Sequence, residues 1–143
     1  MRPVLDPADT APVDGYEIPH RIRAAVRLRH PGETFPYGSG TGANLDLDHT
    51  VPYRQLGLGG TCGQTGVDNL GPLSRPAHRA TTLGRWQRRQ PDPGSFVWRS
   101  PNGFIHLLTN HGSLNLGPSS FAQAIWRAAT TETEQPPVTS RSS

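Results

Sequence analysis

Four residues are of the types from which hydrolytic chemistry is built. Asp48 and His49 are adjacent near the end of Leu45-Asp46-Leu47-Asp48-His49-Thr50-Val51-Pro52, and Asn69 and His78 bound the stretch Asn69-Leu70-Gly71-Pro72-Leu73-Ser74-Arg75-Pro76-Ala77-His78. An imidazole titrates near neutral pH and can take a proton from water. A carboxylate oxygen with an imidazole nitrogen suits Mg²⁺, Mn²⁺, Ni²⁺ or Zn²⁺ without choosing among them, and two protein ligands leave positions open for water and phosphate oxygens. Each residue also has a plain structural reading. Asp-His at a strand end is an ordinary surface pair, a helix histidine is bland, and asparagine before a helix is a simple cap.

The flanking pattern says which elements must hold these side chains. Leu45 and Leu47 alternate with Asp46 and Asp48, the period-2 pattern of a half-buried strand, and Pro52 stops its pairing. Asn69 reads as a helix N-cap, with Pro72 in the first turn and His78 carried back toward the strand end. On that reading Pro76 lies inside the helix, removes the hydrogen bond to the Pro72 carbonyl and bends the axis beside His78.

A strand ending in Asp48-His49-Thr50-Val51-Pro52, then a loop, Asn69 and a helical His78, in this order and spacing, resembles the HNH endonuclease motif (His-Me finger, ββα-metal). The resemblance runs from about Tyr16 to about His111 and includes Ala-Val-Arg-Leu-Arg upstream, and Gly-Arg-Trp-Gln and Phe-Val-Trp-Arg-Ser-Pro-Asn-Gly downstream. It is to the version at the C-terminus of actinobacterial and mycobacterial multi-domain repeat-family proteins. It implies an α+β fold, a ββα-metal finger preceded by a short helix and followed by a small antiparallel β-meander, with disordered termini. It assigns His49 as general base, Asp48 and His78 as ligands of one divalent metal, and Asn69 as the residue that holds the loop and orients His49. The implied partner is DNA. The family normally adds a large helical domain upstream and four cysteines that bind a structural zinc. Glu33, Gly38, Ser74 and Ala77 stand at the cysteine positions here, and Gly38 and Ala77 have no ligating side chain, so no structural zinc is expected. Structural zinc can contribute on the order of 10 kcal/mol to a small fold, so another device must hold the finger.

The 143 residues suffice for one domain with a modest core, and Gly 16 plus Pro 15 foretell many turns. No apolar run approaches the roughly eighteen residues of a membrane helix, no signal-peptide pattern opens the chain, and the single Cys62 cannot close an internal disulfide. A cytoplasmic protein without a membrane partner is the expectation. All fourteen basic residues are arginine, which a GC-rich genome explains, although the guanidinium fork also suits phosphate. Ten of them fall in residues 20–89 against four acids, a net of +6, whereas residues 1–19 carry one against four, a net of −3. Positive charge thus gathers around the proposed site, as a phosphate backbone requires. Arg54, Arg75, Arg79 and Arg85 are the candidate nucleic-acid contacts.

Three units are expected: 1–15 as a disordered lead or linker, 16–111 as the nuclease-like domain, and 112–143 as a weak helix and disordered tail. The chain is expected to be either a stand-alone short version or a truncated one. Pro19 to Arg29 reads as a helix with Ile22, Ala25, Val26 and Arg29 on one face, and residues 36–44 and 55–66 as Gly-rich loops. Strands are expected at Arg85–Gln90, Ser95–Arg99 and Phe104–Leu108, with Trp86, Phe96, Trp98, Phe104 and Ile105 as core rather than base-stacking residues. A short helix at Phe121–Ala129 should turn Phe121, Ala124, Ile125 and Ala128 to one side. His20, His30, His106 and His111 match no motif position and read as surface residues. Asp46 serves equally as a supporting partner of the site or an alternative metal ligand, or as an exposed strand residue. Two other functions compete with DNA cleavage: a nuclease-derived module that binds nucleic acid without cutting, and an unfolded relic of a repeat gene.

Overall fold

The computed structural model describes residues 11–38, 40, 45–83 and 85–129. The expected disorder of 1–10 and 130–143 lies outside them. The fold is α+β, with three helices and two antiparallel sheets. The order is α1 (His20–Arg29), β1 (Asp46–His49), β2 (Leu70–Leu73), α2 (Arg75–Thr82), β3 (Gln87–Asp92), β4 (Ser95–Arg99), β5 (Ile105–Thr109), β6 (Gly112–Gly117) and α3 (Ser120–Ala128). β1 pairs with β2, and β3-β4-β5-β6 form a four-stranded meander. No helix among the described residues is long and apolar enough to cross a membrane.

α1 starts immediately after Pro19, whose fixed φ suits a helix entry. Its buried stripe of Ile22, Ala25 and Val26 follows helical spacing, and Ile22 and Val26 pack on Leu70 of β2. Arg29, expected on that face, is exposed. The meander obeys the period of two. Phe96, Trp98 and Leu108 face β2 and α2 with Leu73 and Ala77, whereas Val97 and Ile105 face α3 with Ala122 and Trp126. The β1–β2–α2 unit, called the finger for its shape alone, and α3 therefore cover opposite faces of one sheet.

Several expectations are corrected here. Asn69 does not cap a helix: it precedes β2, and Ser74 is the N-cap of α2, accepting from Ala77 N at 3.4 Å. The Leu70-Gly71-Pro72-Leu73 run is buried on every residue and pairs with β1, and that burial overrides the capping pattern. Pro76 accordingly falls in the first turn of α2, where a missing N–H costs nothing, and does not bend the helix before His78. Second, the meander has a fourth strand. The boundary drawn at 111/112 cuts the β5–β6 hairpin, because Gly112–Gly117 is too polar to read as a strand until β5 pairs with it. Phe104 lies before β5 and is exposed, so it is not core. α3 turns Ala122 and Trp126, with Ile125 partly buried, onto the sheet; Phe121 is 68% exposed. Third, the lead is not structureless throughout: Val13 and Thr65 exchange both backbone hydrogen bonds, at 2.9 and 3.1 Å.

His30 and His106 are buried rather than on the surface. His106 packs between Tyr37 and Trp86, and burial pushes its pKa below the ordinary 6.5. Its folded pKa is thus below the unfolded one, so the associated stability is present above about pH 6.5 and is lost as pH falls through the folded pKa. Thermal melts should give a plateau near neutrality and a fall on acidification, and His106→Phe should make that fall shallower. An acid limb identical in wild type and variant would remove His106 from this role.

Candidate functional site

The site is built where the two sheets dock. β1 and β2 place Asp48 opposite Gly71 and His49 opposite Leu70. A Cβ at Gly71 would come within 2.7 Å of the Phe96 ring and 3.0 Å of Thr34 Oγ1, so glycine lets β2 lie against the meander. From β3, Arg88 and Gln90, two residues apart on one face, reach back to the finger. Arg88 Nη2 donates to Asp48 Oδ2 at 2.7 Å and to the His49 carbonyl at 2.6 Å. Gln90 accepts from Thr50 Oγ1 at 2.7 Å and donates to the carbonyls of Val67 at 3.0 Å and Leu70 at 3.2 Å.

α2 brings His78 over the end of β1, with its Nε2 3.6 Å from Asp48 Oδ1. Two donor atoms bound to one cation at about 2.1 Å each and a tetrahedral angle lie about 3.4 Å apart, so this pair fits a shared divalent metal. Among the described residues, no group of three or more His, Cys, Asp or Glu converges. The remaining positions would fall to water and substrate oxygens. Arg88 engages Oδ2, which leaves Oδ1 as the Asp48 oxygen that faces His78 and that would meet a metal bound between them.

His49 is buried, stacked on Tyr16 at 5.6 Å between ring centroids and flanked by Tyr53. Burial pushes its pKa below the ordinary 6.5; the Asp48 charge opposes this and the Arg88 charge adds to it. The imidazole is therefore neutral at neutral pH, the form that accepts a proton. Asn69, fully buried, holds the loop after His49 from both sides. Its Oδ1 accepts from Val51 N at 2.8 Å, and its Nδ2 donates to the carbonyls of Gln64 at 2.9 Å and Val51 at 3.2 Å. All four candidate residues thus belong to one local assembly.

Two clefts, of about 710 and 750 Å³, share Tyr16, Asp48, His49 and His78. The first is bordered by Arg23, Arg75 and Arg79, with exposed Asp46 at its rim. The second is bordered by Arg88, Arg89 and Arg99 with Trp86 and Trp126. Of the four arginines singled out from the sequence, Arg75 and Arg79 border a cleft. Arg54 and Arg85 are exposed but border neither. Sequence reasoning missed Arg88, Arg89 and Arg99, which border the second cleft.

The positions at which the resemblance expects zinc cysteines are also brought together. Glu33 Oε1 accepts from Ser74 N at 3.1 Å and from Ser74 Oγ, and Oε2 accepts from Gly40 N at 3.3 Å. A Cβ at Gly38 would lie 2.5 Å from Glu33 Oε2, so this carboxylate fills the space that a side chain at 38 would need. Its negative charge also sits at the N-terminus of α2, where the helix dipole favours it. Glu33→Ala should therefore destabilise the protein by about 1–3 kcal/mol in a denaturant titration, and metal analysis of dialysed wild type should find no stoichiometric structural zinc. One zinc per chain retained in a His78→Ala variant would contradict the second expectation.

The site and fold describe an α+β protein with a carboxylate, two imidazoles and an asparagine assembled between two antiparallel sheets, under flanking arginines. No protein-family model matches the chain. It is 30% identical over 106 residues to the uncharacterized protein Rv3776 of Mycobacterium tuberculosis (strain ATCC 25618 / H37Rv), a match covering 73% of this chain and 19% of that protein. The chain thus spans about a fifth of that relative's length. No solved structure matches.

Proposed function

We propose that this chain is a metal-dependent endonuclease module of the HNH (ββα-metal) type that hydrolyses DNA phosphodiester bonds. The observation that carries this reading is the convergence of Asp48 Oδ1 and His78 Nε2 at 3.6 Å beside a buried His49, where two arginine-bordered clefts meet. His49 takes a proton from water as the water oxygen bonds to phosphorus. The bond from phosphorus to the leaving oxygen breaks, and that oxygen is protonated by solvent. Asp48 and His78 would hold one divalent ion, which when bound supplies Lewis-acid stabilisation of charge on the phosphate and leaving oxygens. Asn69 fixes the loop that carries His49. Arg75 and Arg79 on one side, and Arg99 on the other, hold the phosphate backbone.

The test is a plasmid-nicking assay with added Mg²⁺, Mn²⁺ or Ni²⁺, with affinity measured in parallel across salt concentrations. Nicking should require metal, and affinity should fall steeply with salt. Replacing Arg75 or Arg79 should weaken binding on any sequence and lower the salt slope by about 1. A second reading, a nucleic-acid-binding module that does not cut, is favoured by one observation: Arg88 already neutralises Asp48. Salt-sensitive binding without nicking under any of the three metals would select it.

A further inference from the structure

His49 makes one side-chain hydrogen bond among the described residues, from Nε2 to Thr65 Oγ1 at 2.8 Å. Thr65 is fully buried, and its hydroxyl donates to the Gly15 carbonyl at 2.5 Å. A hydroxyl has one proton to give, and a carbonyl has none. The Thr65 proton is committed to Gly15, so toward His49 the oxygen can only accept. Nε2 must then carry the hydrogen. A neutral imidazole has a single N–H, which leaves the lone pair on Nδ1.

We infer that Thr65 is a positioning residue: its hydroxyl holds His49 in the Nε2–H tautomer and leaves Nδ1 as the nitrogen that accepts the proton from water. The catalytic part of this inference rests on the proposed endonuclease reading; the tautomer does not.

Residues 13–16 complete the device. The Val13–Thr65 backbone pair fixes the depth of the threonine, and Asp14 Oδ1 accepts from Gly63 N at 2.7 Å, anchoring the same loop. Gly15 supplies the terminal acceptor, and Tyr16 stacks on the His49 ring with 21° between planes. The stretch before α1 is therefore part of the site. Without the Gly15 carbonyl, the Thr65 hydroxyl would be free to rotate and donate to a bare Nε2, and the opposite tautomer would become accessible. The gain is a base that needs no reorganisation when water arrives.

The test is a long-range ¹H–¹⁵N imidazole correlation spectrum of the full chain without metal, at about pH 8, well above the ordinary imidazole pKa. The His49 signals are identified by their loss in His49→Gln. Wild type should show Nε2 in the protonated range and Nδ1 in the unprotonated range. Thr65→Val, which keeps the shape and removes the hydroxyl, should move both nitrogens toward the average of the two tautomers. It should also slow nicking about 10–100-fold, the usual effect of losing a partner that orients a functional histidine, at unchanged DNA affinity. Thr65→Ser should restore both the spectrum and the rate, which a merely structural role for the methyl-bearing side chain would not do. A protonated Nδ1 in wild type, or a His49 spectrum unmoved by Thr65→Val, overturns the inference. If Thr65→Val does not melt cooperatively, the wild-type and Thr65→Ser spectra still decide it. If the tautomer is as inferred but wild type nicks no DNA, the endonuclease reading fails and the tautomer assignment stands.

Discussion

Replacing His49 with alanine is expected to lower the metal-dependent nicking rate by about 10²–10⁴-fold, the usual contribution of a positioned general base, while DNA affinity stays near wild type. The separation follows from what the side chain touches. Its hydrogen bond goes to Thr65 and its ring contacts go to Tyr16 and Tyr53, so no arginine at the cleft loses a partner. The bond from Arg88 to residue 49 goes to the backbone carbonyl and survives the substitution. Because burial lowers the imidazole pKa below its ordinary 6.5, the acid limb of wild-type nicking should lie below pH 6.5, with the rate falling as pH drops through the folded pKa and the base is protonated. A His49→Ala protein that nicks as fast as wild type would place the activity at another site or in a contaminant.

Much of this site was legible because its signals are local. The Leu45/Leu47 alternation marked β1, and Ile22, Ala25 and Val26 marked the buried face of α1. What the residue types at 48, 49 and 78 offered chemically could be stated before any contact was known. The failures share one physical cause, tertiary pairing that outweighs local propensity. Leu70–Leu73 became a strand because β1, α1 and Phe96 surround it, although Asn69 and Pro72 satisfy the rules for a helix start. Gly112–Gly117 pairs with β5 although its own residues are mostly polar or exposed. Arg88 was invisible for a related reason. In the sequence it is one of two consecutive arginines on a strand, and only the docking of the meander on the finger makes it a buried partner of Asp48 while Arg89 turns to Trp126.

That docking makes Arg88 a residue whose loss should cost much of the protein's stability. Its side chain is 4% exposed, it bridges Asp48 Oδ2 and the His49 carbonyl, and its guanidinium lies 5.6 Å from the centre of the Trp98 ring. Burial pushes its pKa down and Asp48 pulls it back, and an arginine remains charged under such opposing pressures. Arg88→Ala would leave the carboxylate and the carbonyl without their donor and strip the packing from Trp98. The expected loss is about 3–5 kcal/mol, the cost of breaking a buried ion pair from one side. That is a large part of the roughly 5–15 kcal/mol that holds a domain together. Asp48→Ala should also destabilise, because it strands a buried guanidinium. Its loss of activity therefore mixes metal binding with folding. Asp48→Asn keeps an amide oxygen for Arg88 and separates the two effects, and it should melt closer to wild type than Asp48→Ala while still failing to nick. The pair is best measured as a double-mutant cycle in urea: the destabilisations of Arg88→Ala and Asp48→Ala should sum to well above that of the double variant, since each single change leaves an uncompensated partner. Strict additivity would mean that the two charges do not depend on each other, and that the finger is held to the meander chiefly by Gln90 and the Phe96–Trp98 face.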